Sequence, residues 1–235
     1  MAHTPGCSCH SDPGMITADA NGINRDTMRP SIKSVLRPLL VLIALVGLSS
    51  CYMPIRFDAE IVLSRQGYYE FFFDGYLAKV SLYDGLRKGE ISRAEERQQA
   101  KQIEADFTRD SSTKEFKYFK KGHFKVNWHR KGDLTKAKTV TFVRRNEQIL
   151  SISYNHKTGQ VNVIGRSIRR DTKRQLADIG LNITGEIRVI TDTNVISHNA
   201  TTVKDLPSRG PRYRVYIWKI QNIFAATPSL VTTLR

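Results

Sequence analysis

The sequence predicts an α+β domain, a mostly antiparallel β-sheet with one or two helices packed against it. Two observations carry this reading. Runs with apolar side chains at alternate positions, rich in aromatic and β-branched residues, recur from residue 59 to residue 220, separated by turns bearing Gly, Asn and Asp. Only two stretches, around 92–108 and 171–179, carry helix start and stop signals instead. No internal repeat or low-complexity tract breaks the pattern.

The chain opens on 27 polar residues without apolar periodicity, read as a disordered leader or as a start placed upstream of a true start at Met28. His3, Cys7, Cys9 and His10 fall in this stretch. A structural zinc site needs four ligands on a framework, and none is predicted here, so no metal is expected. From Met28 the shape changes. Arg29, Lys33 and Arg37 lead into a ten-residue apolar run, 39–48. A helix of that length covers roughly 15 Å, half of a bilayer's hydrocarbon core, which is too short to span and the right length for a secretory signal. The run closes on Leu48-Ser49-Ser50-Cys51. This resembles a bacterial lipobox: an aliphatic residue, two small ones and a cysteine.

The resemblance implies cleavage after Ser50, diacylation of the Cys51 thiol and acylation of the new amino terminus by a palmitate-like chain. Residues 28–50 are then a lipoprotein signal peptide, and 51–235 a single envelope domain tethered at Cys51. Tyr52 rather than Asp follows the cysteine. By analogy with enteric sorting this favours the outer membrane, with the domain facing the periplasm. Of the three cysteines only Cys51 remains after cleavage, so no internal disulfide is available and stability must come from burial.

The first strands are read at 59–64 and 68–73, with Asp74-Gly75 as a two-residue hairpin turn into a third strand at 76–83. A second Asp-Gly pair, at 84 and 85, ends that three-stranded meander. Ser92 and Glu95 have capping-box spacing and open a helix to about 108, with Ala100, Ile103 and Phe107 on one face. Phe124, Val126 and Trp128 then alternate with Lys125, Asn127 and His129. Strands follow at 139–145, 148–154 and 160–165. A second helix over 171–179 has Leu176 and Ile179 inward and Gly180 as its stop. Strands at 186–191 and 213–220 close the pattern, separated by the loop KDLPSRGPR.

The lipobox, an early strand bearing Asp-Gly, a helix, a β-meander, GEIRVITDTNVISHNATT and a closing YRVYIWKI together resemble the LppM-type lipoprotein domain of actinobacteria. The resemblance covers 55–224, with Gly185, Val189, Asn194, Asn199 and Trp218 in the places of that family's strand, turn and tryptophan. It implies contacts with envelope lipids or glycolipids and names no catalytic residue. The C-terminal transmembrane helix of many members has no counterpart after Trp218.

Four cations against three anions lie in residues 1–50, so +14 of the chain's +15 belongs to residues 51–235. Such a balance favours anionic partners. In an exported domain these are lipid head groups, lipopolysaccharide or an envelope protein partner, and nucleic acid is not expected. The cations concentrate in 114–145, eleven against Glu115 and Asp133. Lys117, Lys120, Lys121, Lys125, Arg144 and Arg145 are the expected anionic-surface contacts. The stretch YYEFFFDGY (68–76) holds six aromatics in nine residues. Tyr69, Phe71 and Phe73 share one face, read either as the core side of a central strand or as the wall of an apolar groove for an acyl chain.

Catalytic signatures are missing from the sequence. His123 and His129 share a strand face but lie roughly 20 Å apart, too far for one metal ion. Asp74 and Asp84 each precede glycine, where a turn alone explains them. No cofactor and no catalytic residue is expected. The reading is a membrane-anchored, non-enzymatic lipoprotein that binds or organises anionic lipids, glycolipids or an envelope partner. The competing reading is a periplasmic enzyme acting on envelope polysaccharide or lipid, which requires two or more of Asp74, Asp84, His123, His129 and His198 to meet in one cleft.

Cys51→Ser should leave an uncleaved or soluble precursor, because a hydroxyl does not replace the acylated thiol and stable anchoring takes at least two lipid signals. A serine variant that fractionates with membranes at mature size would overturn the lipobox reading.

Overall fold

The structure, a computed structural model, describes residues 52–143 and 148–234. The leader, the signal with Leu48, Ser49 and Ser50, the lipidation candidate Cys51, and Arg144 and Arg145 lie outside the described residues. In chain order the elements are β1 (Tyr52–Leu63), β2 (Tyr68–Lys79), α1 (Val80–Lys88), α2 (Arg93–Phe107), β3 (Thr113–Lys120), β4 (His123–Asp133) and α3 (Leu134–Ala137). After these come β5 (Thr139–Phe142), β6 (Leu150–Asn155), β7 (Gln160–Gly165), α4 (Arg170–Asp178), β8 (Thr184–Thr191), β9 (Asn194–His198), β10 (Thr202–Asp205), β11 (Arg214–Ile220) and β12 (Ser229–Thr233). The fold class is α+β as the sequence predicts, with four helices rather than two among the described residues.

Two sheets share one core. The larger has the order β10-β11-β8-β1-β2-β4-β3 and is antiparallel except where β1 runs parallel to β8; the smaller, β5-β6-β7-β12-β9, is antiparallel throughout. Alternation buries Tyr69, Phe71 and Phe73 of β2 and Phe124, Val126 and Trp128 of β4 on the inner face. Phe142 of β5 reaches them from the smaller sheet, stacked on Phe73 at 4.1 Å and tilted against Trp128 at 5.2 Å. At the β3 edge α2 covers the same face, with Phe107 stacked on Phe116 at 3.9 Å and edge-on to Tyr52 at 5.1 Å. A smaller apolar cluster, made by Met53, Ala78, Val80, Leu176, Leu181 and Ile223, sits beside this core.

The predicted three-stranded meander is instead a hairpin followed by a helix. β2 continues through Asp74-Gly75, pairing with β1 on one side and β4 on the other. Gly75 serves close approach rather than a turn: a Cβ there would lie 2.4 Å from the Arg56 carbonyl oxygen and 2.6 Å from Phe57 Cα. Gly185 of β8 faces Phe57 from the opposite side, where a Cβ would meet its carbonyl oxygen at 2.3 Å. Phe57 thus occupies the space that two neighbouring strands leave free. The second Asp-Gly pair lies within α1, where Asp84 bonds Arg87 at 2.9 Å and Lys88 at 2.7 Å. The Lys88 hydrogen bond, above all, holds the Asp84 carboxyl below the usual carboxylate range.

The predicted first helix is present as α2, and its cap is reciprocal: Glu95 N–H donates to Ser92 Oγ and Ser92 N–H to Glu95 Oε2. Two further carboxylates of α2 hold β3. Glu104 accepts the Tyr118 backbone N–H, and Glu96 accepts the Tyr118 hydroxyl. The predicted strands at 139–145 and 148–154 are shorter as β5 and β6, and β9, β10 and β12 join the sheets without having been predicted.

Gly75→Ala and Gly185→Ala should each lower stability by about 1–3 kcal/mol, the usual cost of forcing atoms into a filled site. Because both press on Phe57, the double variant should depart from additivity; urea midpoints report both effects. Burial first, then the Glu96 hydrogen bond, pushes the Tyr118 phenol up to about 12. A folded-state value above the unfolded value of 10.0 means the associated stability is full below pH 10 and is lost as pH rises through about 12. The difference in phenolate absorbance between wild type and Tyr118→Phe should therefore appear near pH 12, and a step near pH 10 would contradict the clamp.

Candidate functional site: an apolar cavity with a basic mouth

A cavity of about 630 Å³ lies between the main core and the smaller cluster, within the roughly 300–1,000 Å³ usual for small-molecule sites. β1 begins its wall with Tyr52, Met53 and Pro54, where the pairing with β2 shifts register before Arg56. Phe57, Val80, Ile149, Ile183 and Ile187 extend the apolar lining, and Leu176 closes it from α4. The remaining side comes from the loop between β11 and β12. There Asn182 Oδ1 accepts the Ile223 N–H at 2.9 Å and Asn222 Oδ1 accepts the Phe224 N–H at 2.9 Å. The loop so fixed turns Ile223 inward, 3% exposed, and leaves Phe224 outward, 52% exposed.

The mouth is cationic. Arg166, Arg169 and Lys173 line it, with Arg170 and Arg174 alongside on the same segment. Lys173 Nζ donates to the Ala225 carbonyl at 3.2 Å and so ties α4 to the loop. Asp171 stands 3.9 Å from Arg174. Arg166 and Arg169 are exposed and have no anionic partner among the described residues. The walls offer dispersion and apolar burial, the rim offers guanidinium forks suited to phosphate or carboxylate. Such an arrangement can receive an alkyl chain inside while an anionic group stays at the surface.

The residues singled out by the sequence fall elsewhere. Tyr69, Phe71 and Phe73 are 4%, 0% and 1% exposed in the core between the sheets, so the groove reading is corrected to that of a core strand. The second sheet covers the side of β2 that a groove would have left open. On the far side of β2, Phe72 stacks on His129 at 4.0 Å and Tyr68 is solvent-exposed. Lys117, Lys120 and Lys121 are exposed at the β3–β4 hairpin, where Lys117 pairs across the strands with Lys125. Lys125 is 3.9 Å from Glu115, and Lys120 Nζ lies 5.0 Å over the exposed Phe119 ring. These lysines form a patch apart from the cavity walls.

The residues named for the enzyme reading separate too. Asp74 accepts from Asn127 at 2.7 Å on the outer sheet face, and His129 meets Glu70 at 3.0 Å on that face. Asp84 is held by its α1 neighbours, His123 packs edge-on to Tyr83, and His198 lies against Tyr216. None of the five lines the cavity. Two residues from the family resemblance do form a joint: Trp218 Nε1 donates to Asn199 Oδ1 at 2.8 Å, and Asn199 Nδ2 donates to the Thr227 carbonyl at 2.8 Å. Sequence reasoning missed Arg166, Arg169, Lys173 and Phe224. The signal was present, since GRSIRRDTKR (165–174) holds five cations against one Asp in ten residues.

The fold and site define a two-sheet α+β domain with a basic-mouthed apolar cavity. No protein-family model matches the chain, and no curated protein matches it. Among solved structures it is similar to the folded domain of LppM from Mycobacterium tuberculosis, determined by NMR, at 13% identity and a TM-score of 0.40, over 76% of this chain and 89% of that one. At that identity and TM-score the match assigns no ligand and no residue role.

Proposed function

We propose that this chain is a non-enzymatic envelope lipoprotein, anchored through Cys51, that holds an acyl chain of an anionic lipid or glycolipid in the cavity. The observation that carries the reading is the junction of apolar cavity and unpaired cations: Arg166 and Arg169 stand at the rim of a space lined by Tyr52, Met53, Leu176 and Ile223. The lipobox supports it independently, because cleavage there leaves the anchor one residue before Tyr52, in the cavity wall. Tethering would keep this end of the domain at the bilayer. Phe224, exposed beside the basic α4, would then enter the interfacial layer while the arginines meet phosphates. Each buried methylene contributes about 0.8 kcal/mol and each surface cation about 1 kcal/mol. The outer membrane, with lipopolysaccharide as its abundant anion, is the compartment this reading favours, and the Lys117–Lys121 hairpin offers a second, weaker contact or a place for an envelope partner.

All described elements and both apolar clusters lie within 52–234, so a soluble domain beginning at Tyr52 retains the whole core. It should bind anionic vesicles, ignore zwitterionic ones and release as salt rises, since screening acts over roughly 8 Å at physiological ionic strength. Replacing Arg166, Arg169 and Lys173 together by glutamine should weaken binding by about two orders of magnitude, from about 1 kcal/mol per cation. Glutamine at Lys117, Lys120, Lys121 and Lys125 should have the smaller effect. Native mass spectrometry should find lipid carried by the wild type and absent from Ala226→Trp, which fills the cavity from an exposed wall position. Equal binding to anionic and neutral vesicles at low salt would sink the surface contact; lipid retained by Ala226→Trp would sink the cavity assignment.

A further inference from the structure

A second cleft, also about 630 Å³, opens at the other end of the larger sheet, past the parallel carboxyl ends of β1 and β8. β1 is twelve residues long and spans from Tyr52, in the first cavity's wall, to Leu63, two residues before Arg65 in this cleft. At about 3.3 Å per residue the two ends of β1 stand on the order of 35–40 Å apart, while on β8 the walls come nearer, Ile187 lining the first cavity and Thr191 the second. Their chemistry is opposite. The second is lined by Arg65, Arg212, Arg214, Asp192, Asp205 and Tyr213, and is mostly polar.

Its floor is braced by hydroxyls. Thr191 Oγ1 donates to the Leu63 carbonyl at 2.8 Å and meets Thr193 Oγ1 at 2.6 Å. Thr193 Oγ1 meets Thr232 Oγ1 at 2.6 Å, and Thr232 Oγ1 donates to the Asn194 carbonyl at 2.7 Å. Thr191 and Thr232 are fully buried, so this chain fixes the end of the larger sheet to β12 and β9 of the smaller one. Pro207 and Pro211 stiffen the opposite wall.

On this frame the charges are sorted. The Arg65 backbone N–H donates to Asp192 Oδ1 at 2.9 Å, and its Nε donates to the Asp192 carbonyl at 3.2 Å. That fixes the guanidinium and leaves its two terminal nitrogens to the cleft. Arg214 Nε answers Asp205 at 3.1 Å. Arg212, between Pro211 and Tyr213, has no anionic partner among the described residues. Asp205 is therefore ion-paired, Asp192 accepts a backbone N–H and keeps its charge, and Arg65 and Arg212 outnumber it by one positive charge.

We propose that this cleft binds a small hydroxylated anion, a sugar bearing a carboxylate or a phosphate. Guanidinium forks match either anion. The aspartates, Asn194 and the Tyr213 hydroxyl supply the acceptors and donors that sugar hydroxyls require. The site owes nothing to the lipid reading, and in a domain tethered at Cys51 it lies at the end away from the anchor, where ligands are water-soluble.

The test titrates the soluble domain with glucuronate, glucose 6-phosphate, glucose and inorganic phosphate, following backbone amides by NMR. Glucuronate or glucose 6-phosphate should shift the amides of Arg65, Thr193 and Arg212, and whichever binds more tightly names the anion. Glucose and phosphate alone should bind at least ten-fold more weakly. Arg212→Gln, an exposed position, should weaken the charged sugar at least ten-fold, Asn194→Ala should weaken it less, and Ala226→Trp at the other cavity should leave it unchanged. Phosphate binding as well as glucose 6-phosphate would overturn the sugar assignment, and no response at these amides to either charged sugar would overturn the site.

Discussion

The structure hangs on the placement of Phe57. Its main chain passes between two residues without side chains, Gly75 of β2 and Gly185 of β8, each closer than a Cβ permits. This lets three strands converge at one point of the larger sheet. The Phe57 ring stacks on Phe73 at 5.3 Å, and Phe73 stacks on Phe142 of the smaller sheet at 4.1 Å. The same ring forms part of the cavity wall. One residue therefore links the register of the parallel β1–β8 pair, the join between the sheets and the shape of the candidate site. Any side chain at Gly185 would be felt in all three.

Two kinds of joint hold the sheets together, and their magnitudes differ. Burying Phe71, Phe73, Phe124 and Phe142 completely is worth about 1.5–3 kcal/mol per side chain. A neutral hydrogen bond such as Trp218 to Asn199 nets about 1 kcal/mol. The aromatic layer thus supplies most of the cohesion, while the Asn199 and threonine joints fix how the sheets are aligned. α4 is held differently, with Leu176 as its buried residue and Lys173 bonded to the loop. An element with so little buried surface opens at lower cost than the sheets. That is the property a cavity lid needs if an acyl chain is to enter.

Legibility in the sequence followed the range of the forces involved. β4 and α2 could be read because their signals are local: strict alternation from Phe124 to Trp128, and a capping box four residues long. Gly75 was misread because Asp-Gly is a local turn signal, whereas the glycine is required by Phe57, eighteen positions away. Val80 and Leu82 are buried in either a strand or a helix, so α1 showed itself only in Gly89 at its end, with a φ of 74°, and in the Asp84–Lys88 spacing. β9 and β10 expose most of their residues and have no apolar alternation to read. The aromatics of β2 gave the right chemistry at the wrong place, since nothing in the sequence says which apolar strand a second sheet will cover. Basic density was visible in both 114–145 and 165–174. Only the fold shows that the shorter run borders a cavity.

The distribution of charge also separates structure from recognition. On the outer sheet face Arg188 lies 3.0 Å from Glu60 and 2.8 Å from Glu186, so this cation is answered in place. Lys117 and Lys121 at the hairpin, and Arg166 and Arg169 at the cavity, have no carboxylate partner among the described residues. The excess of positive charge is therefore not spread evenly but concentrated where the surface is not occupied with itself. Screening confines each group to a range of roughly 8 Å, so the patches act as separate sites rather than as one field. An anion held at α4 gains from the apolar cavity beneath it, and one at the hairpin has only the exposed Phe119 beside it. The two proposed contacts differ accordingly: the cavity patch fits an amphiphile, and the hairpin patch fits a bare anionic surface.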